Sequence, residues 1–344
     1  RRRPSSNRHR PRYPLNSATH HCRGGLGCQH LRWRCGPSCP QRPPSRLHRL
    51  GGGAAGAVGA VGGRALAHFR PLKMALRFGV ALLLALTIGL IAYWRGTLSP
   101  SGVLGAVLTG TAFFGFGGWT GAALLLGFFV SSSVLSRFQG QQKSTVNADF
   151  SKGHRRDIWQ ALANGGVAAL AATAAYFLNQ PWLWVAAIGA LAAANADTWA
   201  TEIGVLSKNW PRKITTLKSV PPGTSGGISW AGTGAALLGA GFIGGIGAIA
   251  AFFGFAGLTP IMLFIAATLA GLGGSLFDSL LGATVQRIYY CDTCQKDTER
   301  HPHHRCGSPT HPIRGLAIIN NDVVNFGATL CGALLAVGLY GLFV

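Results

Sequence analysis

Residues 195 to 229 read NADTWATEIGVLSKNWPRKITTLKSVPPGTSGGIS. Asp197 and Glu202 stand in an otherwise apolar helical stretch, and Lys208, Arg212, Lys213 and Lys218 follow in a basic loop. Gly223-Thr224-Ser225-Gly226-Gly227 then presents backbone N–H groups ahead of the next apolar run. Carboxylates hold divalent cations, while basic side chains and bare amides hold phosphates. The combination suits a phosphorylated substrate bound together with Mg²⁺. Taken alone the glycine run says little, because a helix-capping turn using Thr224 or Ser225 has the same composition. No G-x-x-x-x-G-K-[ST] sequence is present, so it is not a P-loop. Arg212, Lys213 and Lys218 read equally well as phosphate clamps or as ordinary loop charges, and Lys152, Arg155 and Arg156 share that ambiguity.

Three further apolar stretches carry polar groups near one end. Asp157, Gln160 and Asn164 share a face at helical spacing, Asp278 lies in GGSLFDSLLG beside Gly274, Ser275 and Gly282, and Asn321, Asp322 and Asn325 open the last stretch. Asp197 and Glu202 are five positions apart, about 140° around a helix, so they line a cleft rather than one stripe. Interhelical hydrogen bonding explains single Asn or Ser residues in such helices. Four acids at one depth repel one another unless cations lie between them, so Asp197, Glu202, Asp278 and Asp322 are the expected Mg²⁺ ligands. Asn321 and Asn325 are expected beside them at the reacting centre, with Asn164 and the 223–227 turn among the phosphate-binding groups.

A different chemistry is written in CDTCQKDTERHPHHRCG. Cys291-x-x-Cys294 followed by His304-x-Cys306 has the ligand types and spacing of a zinc ribbon, with His301 and His303 as rivals for the histidine position. The expected zinc is structural, stapling a loop over the site. Cys331 lies in an apolar stretch and reads as core. Cys22, Cys28, Cys35 and Cys39 stand among residues without strand or helix pattern, which weighs against a metal site there.

These residues need a membrane scaffold. Charged residues make up 12% of the 344 residues, about half the ~25% usual for a soluble domain. Apolar runs over 75–93, 101–136, 158–177, 182–205, 227–253, 260–285 and 317–343 predict an all-α polytopic transmembrane bundle. The 101–136 run is too long for one crossing and is interrupted at Gly115, Gly117 and Gly118, so the count is seven or eight. After Met74 every basic residue except Arg77 and Arg95 falls in 137–157, 206–226 or 286–315, whereas the turns 178–181 and 254–259 hold none. The positive-inside rule puts those three loops in the cytoplasm, or on the stromal or matrix side in an organelle; the membrane is the cell inner membrane if the source is bacterial. The orientation of the amino terminus stays open.

The net charge of +22 is concentrated upstream: residues 1–73 hold 15 of the 31 Lys and Arg and no acid. A nucleic-acid partner therefore has little support. We expect 74–344 to be the membrane domain, with Met74 as the start. The low-complexity 1–73 would then be mis-annotated; a disordered basic arm and an organelle transit peptide are the alternatives.

The blocks NADTWATEIG, PRKITT, VPPGTSGG, GSLFDSLLGAT and NNDVVN, in this order over about 75–344, resemble the integral-membrane family called domain of unknown function 92. That family includes transmembrane protein 19 and plant and cyanobacterial phytyl-phosphate kinase. The resemblance implies phosphoryl transfer from a nucleoside triphosphate, CTP foremost, to a prenyl or phytyl monophosphate. It carries functional weight to Asp197, Thr198, Glu202, Thr224, Gly226, Gly227, Asp278, Asn321 and Asn325. The cysteine loop departs from the animal-type pattern, which leaves the acceptor unspecified. A transporter or flippase for a lipid phosphate or ion is the alternative, since intramembrane acids and broken helices serve transport too. A membrane scaffold is the third.

Overall fold

A computed structural model describes residues 55–138 and 155–343, with side chains from residue 73. The four upstream cysteines and Lys152 lie outside the described residues. Helix α1 (Ala55–Trp94) begins upstream of Met74, so the boundary expected at residue 73 falls inside a helix, and its apolar part is Lys73–Trp94. Then come α2 (Pro100–Arg137), α3 (Ile158–Leu178), α4 (Pro181–Gly204), α5 (Trp230–Phe252), α6 (Pro260–Thr284) and α7 (Asn321–Gly341).

Helix α2 resolves the count left open at 101–136. Gly118 takes φ 58, ψ −145 in its middle, a backbone conformation accessible to glycine. The chain folds back there. Arg137 Nη2 donates to the Arg95 carbonyl at 2.9 Å, which returns the end of α2 to the end where it began. Each half rises about 27 Å, close to the ~30 Å of a hydrocarbon core. With both halves counted, the described helices make eight passes through the bundle, and the apolar part of α1 starts at the end opposite the polar loops.

The two ends of the bundle are started differently. At the polar end Ser99, Asp157, Ser229 and Asn320 cap α2, α3, α5 and α7, each side chain accepting from a backbone N–H three residues on. At the other end Pro181 and Pro260 open α4 and α6, which have no side-chain cap. Asp157, read as part of a polar face, is thereby a cap. Ser229, not Thr224 or Ser225, caps α5.

Helix α4 is the axis. Its run Leu183–Ala196 is buried without interruption, and it packs against α2, α3, α5, α6 and α7. The other six long helices are apolar enough to cross a membrane by composition, whereas α4 is not among them. Its apolar run is enclosed by the other helices, and its polar residues Asn195, Asp197 and Glu202 lie in the second half.

Small residues let the neighbours close on it. A Cβ at Gly189 would lie 2.3 Å from Ala336 Cβ, and one at Gly332 would lie 2.5 Å from Ala193 Cβ. Such contacts replace hydrophobic driving force inside lipid. Asn195 is fully buried and satisfied, donating to Gly239 O at 2.7 Å and accepting from Ser131 Oγ at 3.1 Å. It ties α4 to α5 and α2.

Two small sheets cover the polar end. β1 (Arg212–Lys213) pairs antiparallel with β2 (Gly227–Ile228) in the first long loop. In the last loop β3 (Ile288–Cys291) is flanked by β4 (Lys296–Thr298) and β5 (His311–Arg314), both antiparallel.

Candidate active site

At the polar end the helices leave a cavity of about 290 Å³. Its acids come from different elements. Asp197 (α4) accepts a hydrogen bond from the Ser275 hydroxyl (α6), and Asp278 (α6) lies near enough to Asp197 and to Glu299 for their charges to repel. The Oδ2 atom of Asp278 is buried and has no hydrogen-bond partner among the described residues. A buried carboxylate oxygen of this kind is costly unless a cation meets it. With three carboxylates and the carboxamides of Asn321 and Asn325 around one space, an all-oxygen donor set suits Mg²⁺.

Glu202 belongs to the other side of the cavity. Its Oε1 accepts from Ser136 Oγ at 2.5 Å, and it faces Arg156. Burial works against the charge on Arg156 and Glu202 partly offsets it. The guanidinium also sits 5.9 Å from the Phe128 ring centre. Arg156 is thus a cation held over the cavity, with Gln160 and Asn164 beside it on α3. Gln160 Oε1 is a second buried oxygen with no partner among the described residues.

The sequence-predicted residues therefore divide. Asp197, Glu202, Asp278, Asn164, Asn321, Asn325 and the turn Gly223–Gly227 line one cavity, and Asp322 does not. Asp322 follows Asn321 on α7, and the step of about 100° aims it elsewhere. Arg212, Lys213 and Lys218 are likewise absent from the wall. The Arg212 guanidinium donates to Leu217 O at 3.1 Å within its own hairpin, and Lys218 is exposed. The sequence reading missed Gln286 and Glu299 altogether. No helical period reaches them, and a lone Glu in a loop rich in Cys and His carries no signal of its own.

The glycine turn is docked rather than a free helix start. Gly227 N donates to Thr224 O at 3.0 Å, and Thr224 N donates to Pro221 O at 3.2 Å. Ser225 Oγ donates to Gln286 Oε1 at 2.5 Å, and Gln286 Nε2 in turn donates to Glu299 Oε1 at 2.8 Å. Gly226 has φ +83, and a Cβ there would lie 2.5 Å from Ala283 Cβ. Only glycine fits this approach. Arg314 Nη1 donates to Gly282 O at 2.8 Å, clamping the same junction.

Beside the sheet whose strand β4 ends just before Glu299 lie the residues of the expected cluster. Ligand atoms of Cys291, Cys294, His304 and Cys306 all lie within 4.8 Å of one another. Cys291 and Cys306 sulfurs are 3.6 Å apart, close to the ~3.8 Å edge of a tetrahedron with Zn–S bonds of ~2.3 Å. His304 is buried with Nδ1 3.4 Å from Cys306 Sγ. Of its rivals, His301 stacks on Tyr289 at 4.5 Å and His303 is exposed. Hydrogen bonds from the side chain and backbone of Ser308, then from His304, push the Cys306 thiol down to about 5. The Cys294 thiol is pushed up to about 11, first by its hydrogen bond to Cys306 and then by burial. The thiol whose pKa is lowered is the readier first ligand.

Comparison with known proteins matches the sequence that builds this cavity to one family. The family model described as integral membrane protein DUF92 covers residues 83–333. The chain is a DUF92 integral membrane protein. Protein PGR of Arabidopsis thaliana is 34% identical over 274 residues, covering 74% of this chain and 93% of that protein. An uncharacterized membrane protein of Methanocaldococcus jannaschii is 30% identical over 269 residues, 78% and 97% of the two chains. One from Synechocystis is 27% identical over 245 residues, 70% and 82%. No solved structure matches. Every residue assigned above to the DUF92 cavity lies within the matched span, Glu299 and Gln286 included.

Proposed function

We propose that this DUF92 protein is a membrane phosphotransferase. It would move the terminal phosphoryl group of a nucleoside triphosphate, CTP foremost, to a prenyl or phytyl monophosphate. One observation carries the reading: acids from separate elements surround a cavity containing the unpartnered Asp278 oxygen, with the Arg156 guanidinium facing them. Asp197 and Asp278, with Glu299 from the loop, would hold Mg²⁺, which supplies charge neutralisation across the transferring phosphoryl group and the leaving diphosphate. Arg156 would bind the acceptor phosphate, and Glu202 with Ser136 would orient Arg156.

In the reaction an anionic oxygen of the prenyl phosphate bonds to the γ-phosphorus while the bond from that phosphorus to the β-phosphate oxygen breaks. The products are prenyl diphosphate and nucleoside diphosphate. The acceptor oxygen carries no proton to remove, so no strong base is required, and positioning plus charge compensation lower the barrier. Ala200, Gly232 and Ala236 make an apolar part of the cavity wall, along which an isoprenoid chain would lie. Placement of the acids toward one end of α4 and α6, not at their midpoints, weighs against the transporter reading. By the positive-inside rule the cavity would open to the cytoplasm. The Cys₃His cluster would bind zinc as a structural ion.

Purified protein in detergent, given phytyl or geranylgeranyl phosphate, CTP and Mg²⁺, should form the lipid diphosphate, read by mass spectrometry. Absence of product with every nucleoside triphosphate across several prenyl phosphates would end the reading.

A further inference from the structure

The cavity has a smaller neighbour within the Cys/His sheet. A half-open space of about 200 Å³ has Arg287, Arg300, His301 and His303 in its wall. Gln286, Glu299 and Asn321 belong to both cavities, so the two spaces meet at one wall. Two arginines and two imidazoles against one carboxylate make the smaller space an anion site by composition.

It is also built. Arg287 Nη1 donates to Gly315 O at 2.8 Å, and its guanidinium lies 5.8 Å from the Tyr289 ring centre. Arg287 Nε is buried with no partner among the described residues, a donor left for a ligand. Tyr289 is held in turn by the His301 ring stacked at 4.5 Å and 11°.

Size and charge select the ligand. Sites for whole drug-sized molecules run from ~300 Å³ upward, so this one takes a polyphosphate and not a complete nucleotide. A carboxylate in the wall repels a bare anion, whereas a metal-complexed polyphosphate brings its own cation to Glu299. The space is lined mainly by the last loop and meets the bundle only at the start of α7, and its wall is more polar than apolar, which suits a phosphate better than a lipid chain.

We propose that this second pocket binds the metal-complexed diphosphate portion of the donor nucleotide. The terminal phosphoryl group would then reach across the Gln286–Glu299–Asn321 wall to Asp278, with the nucleoside outside near His301. The proposal rests on the phosphotransferase reading for its ligand and on the arginine geometry for its place. It makes the Cys/His sheet the donor-binding element and the bundle the acceptor-binding element.

The test uses the full chain in detergent with magnesium diphosphate as the calorimetric probe, beside steady-state kinetics. Arg300→Gln, and separately His301→Gln with His303→Gln, should weaken magnesium diphosphate binding about tenfold to hundredfold. The KM for the nucleotide should rise in parallel, with the KM for prenyl phosphate within twofold of wild type. Arg305→Gln, exposed in the same loop but outside the pocket, should change neither, and unchanged zinc content and helical circular dichroism report folding. Arg300→Lys should recover part of the loss. Unaltered binding and nucleotide KM in both pocket variants would overturn the site while leaving the phosphotransferase reading in place. Arg300-dependent diphosphate binding without transfer to any prenyl phosphate would do the reverse.

Discussion

The loops 206–226 and 286–315 both follow a helix that carries an acid, both are basic, and both end at the start of another helix. They are used oppositely. In the first loop Arg212 turns back on its own hairpin, none of the loop's cations lines the cavity, and the wall takes Ser207, Pro211, Pro222 and the glycine turn instead. In the second, Gln286 and Glu299 flank the strands of a small sheet beside the four-residue cluster and reach the cavity wall. Charge in a loop is therefore a poor guide to a site. What decides is whether something anchors the chain close enough to aim a side chain.

Several experiments would break or sharpen that contrast. Removing the anchor should have the largest effect. Cys291→Ser, or treatment with a strong zinc chelator, should release the metal and lower turnover at least ~100-fold, with the helical circular dichroism of the bundle retained. Equal activity before and after metal release would remove the second loop from the account. Glu299→Gln keeps the shape and the Gln286 contact but loses the charge. It should reduce kcat about 10- to 100-fold, in single-turnover assays at saturating nucleotide.

Gly226→Ala tests the docked turn of the first loop. Its left-handed backbone and the Ala283 contact should make the substitution destabilising by about 1–3 kcal/mol, seen as a lower Tm in detergent. The smallest effect belongs to the exposed cations. Arg212→Gln with Lys213→Gln should leave the KM for the acceptor within twofold, whereas Arg156→Gln should raise it about tenfold. If the two variants behaved alike, Arg156 would lose its assignment.

Much of the bundle was readable from the chain because helix period and apolar length act locally. The depth of Asp197, Asp278, Asn164 and Asn325 follows from their positions along helices of known rise. The broken 101–136 run was visible as too long, though only coordinates show that Gly118 folds it back. Asp322 could not be separated from Asn321 by depth, since neighbours on a helix share depth and differ in direction. The cysteine spacing pointed to Cys291, Cys294 and Cys306, and the structure brings His304, not His301 or His303, together with them. Glu299 and Gln286 were invisible, because their positions depend on a three-stranded sheet closed by ligands far apart in sequence. Arg156 stood among cations of equal standing until Glu202 and Phe128 were seen around it.

The central claim is that a divalent cation belongs between acids of different elements at the polar end. Electron paramagnetic resonance of Mn²⁺, titrated into the detergent-solubilised chain as a substitute for Mg²⁺, measures this directly. The account predicts a saturable site that disappears in Asp278→Asn and in Asp197→Asn and persists in Asp322→Asn. Wild-type Mn²⁺ binding in Asp278→Asn would contradict it.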